Sequence, residues 1–457
     1  MPKHLTADQR EQQGRALRKQ VPRSSHGEWD PGPDRPNPVA LLEGQNEDRL
    51  QPLVPVRRGR MSASAFTFYR GAARVMASDL ATTPATGLTV QACGDAHLSN
   101  FGAYASPART LVFDVNDFDE TLPGPWEWDL KRLATSFVIA GRNRGFDAAD
   151  SREATRRSVD AYRTAMARFA GMRTLDVWYA HMSVGRVGEA VSGKAAKRIG
   201  KFQRKAKSKD SLQALSKLAE KVDGQYRIKS DPPVLVPLRD LAGNMAPDNL
   251  AEIVKGSFDS YRDSLADNRR RLLERFRPVD VGLKVVGVGS VGTRCLIALM
   301  MGRDDDDPLF LQIKEATDAV LEEHLPPSVY QDHGERVVRG QRLMQAQSDI
   351  FLGWGKNEGD PHDYYWRQLK DWKGSVDIDS ASPTELSRYG DVCGWTLAHT
   401  HARSGDPIAI AAYLGKGQGI VDAMADFAEA YADQNERDYA LFKAAIDDGQ
   451  LEADTDA

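Results

Sequence analysis

The stretch from Gly287 to Ala316 constrains the fold more tightly than any other part of the chain. Its glycine run, GVGSVGTR (287–294), has a G-x-G-x-x-G spacing that serves both dinucleotide-binding and kinase-type phosphate loops, so spacing alone decides nothing. A dinucleotide fingerprint must open a helix and reach a second strand ending in an acid about 20 residues on. Asp304–Asp307 stands at a suitable distance, but the intervening RCLIALMMGR is too short for a helix and a strand, and its branched apolar character suits one strand. A P-loop is disfavoured because no Gly-Lys-Ser/Thr follows the glycines. Two hairpins in series remain: a strand from Val281, a glycine turn, a strand TRCLIALMM, an acidic turn GRDDDDP, and a strand LFLQIKEA carrying Lys314. With a helix at about 332–347 and a strand in DYYWRQLKDWK (363–373), residues 279–380 form a small, mainly antiparallel β unit.

The flanks read differently. Residues 1–60 are polar and proline-punctuated, an extended, partly ordered arm with Trp29 and Leu41-Leu42 as apolar anchors. A helix is expected over 62–80, capped by Ser62 or Ser64, followed by β-prone pieces at 88–93 and 109–118 around a loop. From Trp126 to about Arg277 the apolar spacing is helical, with Val159, Tyr162, Met166 and Phe169 on one face and Leu250, Val254, Phe258, Tyr261 and Leu265 on another. The organisation is thus a helical unit over 61–278, the β unit, and C-terminal helices over 381–457 that complete the helical unit. The basic run at 192–211 reads as a solvated helix or insertion, the other possibility being a patch for an acidic substrate or nucleic acid. The net charge of -4 makes nucleic acid an unlikely partner. Cys93, Cys295 and Cys393 are odd in number and scattered, which suits a reducing cytoplasm, and neither a signal peptide nor a membrane-spanning run is read.

Chemistry concentrates in CGDAHLSNFG (93–102) and VFDVNDFDE (112–120). Phosphoryl transfer needs an aspartate to orient or deprotonate the acceptor, an amide or carboxylate on magnesium, and a second aspartate on the metal that bridges the phosphates. The spacing Asp95-x-x-x-x-Asn100 is that of a kinase catalytic loop, and Asp117, with Asp119 and Asp114 in reserve, supplies the metal aspartate at a strand end. Asn100, Asp117 and Asp119 form the expected metal set. His97, with no second histidine at i+3 or i+4, is read as shaping the loop. Opposite stand the glycine-loop residues Gly287, Gly289, Ser290 and Gly292, and Lys314, where Q-I-K takes the place of V-A-I-K. Glu335, at the head of the expected helix, is the candidate to hold the lysine, with Glu322 and Glu323 just before it. Arg70, Arg367 and Lys370 are possible phosphate or acceptor contacts; His401, Arg403 and Asp406 are read as helix-end capping.

The loop resembles the catalytic segment of the aminoglycoside- and choline-kinase-like phosphotransferases, H-G-D-x-H-x-x-N followed by I-D-F or I-D-W. Asp95, His97 and Asn100 match its polar positions, and Cys93 replaces its first histidine. GPWEWDLKRLA (124–134) resembles that branch's G-D-P-x-x-D-L-A, which implies that Asp129 braces the loop. The whole chain, through motifs such as RRGRMSASAFTFYRGAA, NDFDETLPGPWEWDLKRLA and QRLMQAQSDIFLGW, is similar to a bacterial family known by a domain-of-unknown-function label.

The resulting expectation is an α+β, protein-kinase-like two-lobe fold in circularly permuted order, since kinases place the glycine loop before the catalytic loop. The expected activity is ATP- and magnesium-dependent phosphoryl transfer to an unidentified small-molecule or protein acceptor. Nucleotidyl transfer on the same fold and a non-catalytic, nucleotide-binding pseudokinase are the alternatives.

Overall fold

The computed structural model of the protein describes residues 5–185, 193–241, 256–285, 287–356, 361–369 and 371–455. It is an α+β molecule whose sheets are all antiparallel.

The N-terminal residues are built into the body rather than loosely attached. α1 (Ala7–Gln20), opened by a Thr6 capping box, lies on a C-terminal helix. Trp29 stands edge-on to Tyr431 at 5.1 Å, and Leu42 in α2 (Pro38–Asn46) is fully buried. Arg35 forks onto both Asp79 and Asp438 at 2.6–2.8 Å. The two anchors expected in the arm are real, and salt bridging adds the order that a polar, proline-rich composition conceals. α3 (Val54–Ser62), α4 (Ala65–Gly71, capped by Ser64) and α5 (Ala73–Leu80) follow.

β1 (Thr89–Ala92) pairs with β4 (Leu122–Pro125), and between them β2 (Phe101–Ala105) pairs with β3 (Leu111–Val115). This hairpin displays the 93–100 loop at one end. Beneath it α6 (Trp126–Asn143) is buried along almost its whole length, and α7 (Ala148–Ala170) packs beside it. α8 (Thr174–Tyr179) and β5 (Met182–Ser183) lead to α9 (Gly193–Lys207), the basic segment. In α9, Phe202 packs on the core while Lys197, Lys201 and Arg204 face solvent, the arrangement of a solvated helix.

The helical reading of 126–277 fails beyond α10 (Ser211–Leu218). β6 (Ala219–Val222) and β7 (Gln225–Ile228) form a hairpin, and β8 (Leu235–Pro237) joins the main sheet. Asp223 and Gly224 both have positive φ, 50° and 78°, as a type I′ Asp-Gly turn requires.

The main sheet runs β12–β13–β11–β10–β9–β8, with β9 (Arg277–Lys284), β10 (Cys295–Met301), β11 (Pro308–Ala316), β12 (Gly353–Lys356) and β13 (Asp363–Gln368). The two hairpins expected from the glycine run are present, with Cys295 opposite Lys314. Alternation sends Met300, Ile313 and Trp366 to one face and Leu299, Phe310 and Lys314 to the other. On the first face Tyr261, from a helical stretch at 256–263, stacks on Trp366 at 4.5 Å and 6°. The helical face that includes Phe258 and Tyr261 therefore exists, but it covers the sheet. The β unit begins well before residue 279 because the strand β8 and this covering helix belong to it; Leu250 and Val254 lie outside the described residues.

α11 (Asp267–Leu273) precedes β9, and α12 (His333–Met344) packs between the sheet and the helical part. α13 (Pro383–Ser404), α14 (Pro407–Leu414) and α15 (Gly419–Asp447) then return to α6 and α7. α13 approaches α7 so closely that a Cβ on Gly394 would lie 2.0 Å from the Ser158 carbonyl oxygen. No helix among the described residues is long and apolar enough to cross a membrane, and the three cysteines are free and buried.

Candidate active site

The 93–100 loop leaves β1 through Gly94, whose φ is +81° and whose backbone lies against Glu120; a Cβ there would stand 2.2 Å from the Glu120 carbonyl oxygen. Asp129, in the first turn of α6, fixes this turn: its carboxylate accepts from Cys93 N at 2.6 Å and Gly94 N at 2.9 Å. The bracing expected of Asp129 is thus observed, and it extends further. His401 Nε2 is 3.1 Å from the same carboxylate, and its Nδ1 is 2.9 Å from the Tyr162 hydroxyl. His401 is fully buried inside α13, so its reading as a helix-end cap is corrected; Asp406 does cap α14.

Asp95 projects from the turn into a cavity. Arg132, three residues after Asp129 on the same face of α6, donates Nε to Asp95 Oδ1 at 2.8 Å and stacks over the Tyr69 ring at 4.0 Å. His97 accepts from Ser99 N at 3.2 Å through Nδ1, and burial pushes its pKa down to about 4, so a neutral ring shapes the loop. Asn100 donates Nδ2 to Asp95 O at 2.6 Å, which leaves its Oδ1 as the amide oxygen for a ligand. The Cys93 thiol, kept protonated by burial and by Asp129, donates to Asp117 O at 3.3 Å and so braces the loop at the position where the resemblance has histidine.

Lys314 reaches these residues from β11. Its Nζ is 3.3 Å from Asp117 Oδ1 and bonded to Asp119 Oδ2, while the Tyr365 hydroxyl donates to Asp119 Oδ1 at 2.5 Å. Burial acts to raise the Asp117 carboxyl, but Lys314, Arg367 and Lys373 overcome it and hold the group below the usual carboxylate range. Burial likewise opposes the Lys314 charge, and the two aspartates raise its pKa well above the ordinary value.

A cavity of about 610 Å³ joins the two constellations. Asp95, Asn100, Asp117 and Asp119 line one side and Gly287, Gly289 and Ser290 another. Gly292 falls just behind the wall, where its carbonyl accepts from Leu50 N at 2.8 Å. Asp114 stays out of the cavity; it is buried on β3, and burial raises its pKa to about 7. Glu335 does not hold Lys314: its carboxylate pairs with Arg339 at 3.1 Å on the outer face of α12. One residue on, a helix turns by about 100°, and Arg336 takes the inward place. It donates to Thr121 O, Asp119 O and Thr317 O at 2.7–2.8 Å. Glu322 accepts from Ala319 N and Ser328 N, and Glu323 pairs with Arg74. Arg367 donates to Gln312 and Asn116 O, and Lys370 lies outside the described residues.

Most of the cationic wall escapes sequence reasoning. Arg49, Arg57 and Arg74 line the cavity beside Arg70, all from residues 49–74. Glu120 also lines it, and burial raises its pKa to about 7. Asp117, Asp119 and Asn100 bring to one cavity the oxygen donors that magnesium takes, with both Asp119 oxygens held by Lys314 and Tyr365. Asp318, Glu322 and His333 form a second group with ligand atoms within 4.8 Å of one another at the rim, with Asp318 exposed.

A family model described as "Uncharacterized protein conserved in bacteria (DUF2252)" matches residues 49–445. No curated protein and no solved structure matches the chain.

Proposed function

The chain belongs to DUF2252, a bacterial family whose description names no activity, and from that premise we propose that it is a kinase-like phosphotransferase using ATP and magnesium. One observation carries the reading: residues 197 apart in the chain, Asp117 and Lys314, meet, with Asp117 on the wall of the cavity that the glycine loop also lines and Lys314 buried beside it. Phosphoryl transfer needs those groups together, and the glycine loop on the same cavity adds what a buried ion pair alone would not call for.

In this reading Asp95, oriented by Arg132, accepts the acceptor's proton or directs its lone pair. Asn100, Asp117 and Asp119 would hold magnesium, which supplies charge neutralisation at the phosphates. Lys314 exchanges an aspartate for phosphate oxygen, and the backbone amides of Gly287–Gly292 cover the chain of phosphates. The two-lobe kinase arrangement in permuted order belongs to the same proposal: α13–α15 return to α6 and α7, as a C-terminal completion of the helical lobe requires. The carboxylates that hold Lys314 are Asp117 and Asp119 instead of the helix glutamate of the kinase template, while Arg336 ties α12 to the backbone of 119–121 and Thr317. The acceptor is a hydroxyl or amino compound, or a protein.

The test is incubation with γ- and α-labelled ATP and magnesium in the presence of cell extract fractions. Label from the γ position on an acceptor, lost in Asp95→Asn and Asp117→Ala, is the expected result. Label from the α position alone would replace this reading with nucleotidyl transfer. Stabilisation by ATP and magnesium without any transfer would leave a nucleotide-binding pseudokinase.

A further inference from the structure

We infer that Arg49 and Arg70 form a binding site for the phosphate chain of a nucleoside triphosphate, separate from Lys314; the identity of the ligand rests on the phosphotransferase reading. Lys314 already has two carboxylates, so its charge is balanced within the protein. The cationic wall opposite is not balanced in the same way.

Of its four arginines, two are committed. Arg57 is buried and donates to Asn46, Gln45 and Gly71 O, and Arg74 lies 2.8 Å from Glu323. Arg49 and Arg70 differ. Neither has a carboxylate within ion-pair distance among the described residues, although acidic side chains crowd the same cavity. Arg49 places Nη1 on Val291 O at 2.6 Å, and its Nε is buried without a partner. Arg70 makes no hydrogen bond through its guanidinium among the described residues; Nε is buried, and the group stands 5.9 Å from the Phe66 ring. A guanidinium stays charged when desolvated and carries five donors, so two of them facing one cavity make a demand for an anion.

The rest of the cavity selects which anion. Asp117 and Asp119 share Lys314 between them and so leave negative charge on the same cavity, which disfavours a simple carboxylate or sulfate. A polyphosphate that brings its own magnesium satisfies both walls, oxygens toward the arginines and metal toward the acids. The glycine loop lies beside both arginines: Val291 O accepts from Arg49, and the Gly289 backbone passes close to the Arg70 main chain, where an added Cβ would lie 3.3 Å from Arg70 O. A chain of phosphates under that loop meets both side chains.

The experiment is calorimetric titration of the full chain with inorganic tripolyphosphate, with and without magnesium, using adenosine as the uncharged control. Tripolyphosphate is expected to bind, and Arg70→Gln and Arg49→Gln are each expected to weaken it about tenfold or more, as removal of one charge-assisted hydrogen bond should. Arg58→Gln, a nearby charge paired with Glu43 and outside the cavity wall, is expected to change it less than about twofold. Arg70 holds no protein acceptor, so its variant should fold, and a melting curve checks this. Unchanged affinity in Arg70→Gln, or ATP binding without any tripolyphosphate binding, would overturn the site. Failure of the phosphotransferase reading looks different: arginine-dependent tripolyphosphate binding with no transfer of label. Conversely, label transfer with an unaltered KM in Arg70→Gln removes this site and leaves the phosphotransferase reading standing.

Discussion

The loop at 93–100 and the loop at 287–292 border one cavity, but different forces hold them. The first is fixed by buried side chains: Asp129 on two backbone amides, His401 and Tyr162 behind it, Arg132 on Asp95. The second is fixed from outside, through Arg49 on Val291 O, Leu50 N on Gly292 O and Arg60 on Gly287 O. Breaking a buried polar network costs several kcal/mol, whereas the second loop hangs on three bonds to its carbonyls, of which the one at Gly287 is exposed and easily exchanged for water. In the proposed function a rigid floor would position the acid and metal groups beneath a more loosely held cover, as loading and release of a ligand require.

The largest effect should come from breaking the floor. Asp129→Ala leaves two amide donors and the His401–Tyr162 pair without their buried acceptor, and a decrease of about 3 to 5 kcal/mol in unfolding free energy is expected by urea titration. A decrease below about 1 kcal/mol would mean that the loop holds itself.

A smaller effect follows from Glu120, whose backbone packs on Gly94 at the same floor. Its folded pKa, about 7, exceeds the ordinary 4.5, so the folded protein holds an extra proton between those values. The stability this contributes is complete below about pH 4.5 and is lost as pH rises through 7. Asp114 and Glu127, raised to about 7 as well, act with the same sign. Glu120→Gln should therefore flatten the fall in stability from about pH 5 to 8 by about 1 to 3 kcal/mol relative to wild type. An unchanged slope would place the Glu120 carboxyl in effective contact with water.

These contrasts also explain what the sequence can reveal. Asp95, Asn100, Asp117 and the glycines are readable because their spacing follows from the path of a short loop. Arg132, His401 and Arg336 are not, because their partners are remote: His401 and Asp129 lie 272 residues apart. Glu335 fails for a finer reason, since the helix itself is legible but its rotational phase is not, and one residue of phase substitutes Arg336 for it. The β6–β7 hairpin is legible through Asp223-Gly224, and apolar spacing read past that turn signal hides it. Of the arginine wall, Arg49 and Arg57 fall in the stretch read as an arm, whose docking only Arg35 and Trp29 reveal, whereas Arg70 lies in the expected 62–80 helix and is legible as a phosphate contact.

The cover offers the finest test, because two of its glycines share a backbone conformation and differ in what an added side chain would meet. Gly287 and Gly292 both have positive φ, 70° and 89°. Alanine at either therefore meets a backbone cost of about 1 kcal/mol. At Gly287 no described residue lies within 4 Å of an added Cβ, whereas at Gly292 the Arg49 side chain lies 3.1 Å away. Gly292→Ala should therefore cost about 0.5 to 1 kcal/mol more than Gly287→Ala in thermal or urea unfolding, the added strain of moving a packed side chain. Because the group displaced is Arg49, Gly292→Ala should also weaken tripolyphosphate binding where Gly287→Ala does not. Equal effects on stability and on binding would show that the cover does not rest on the N-terminal segment, and the contrast between rigid floor and pinned cover would have to be given up.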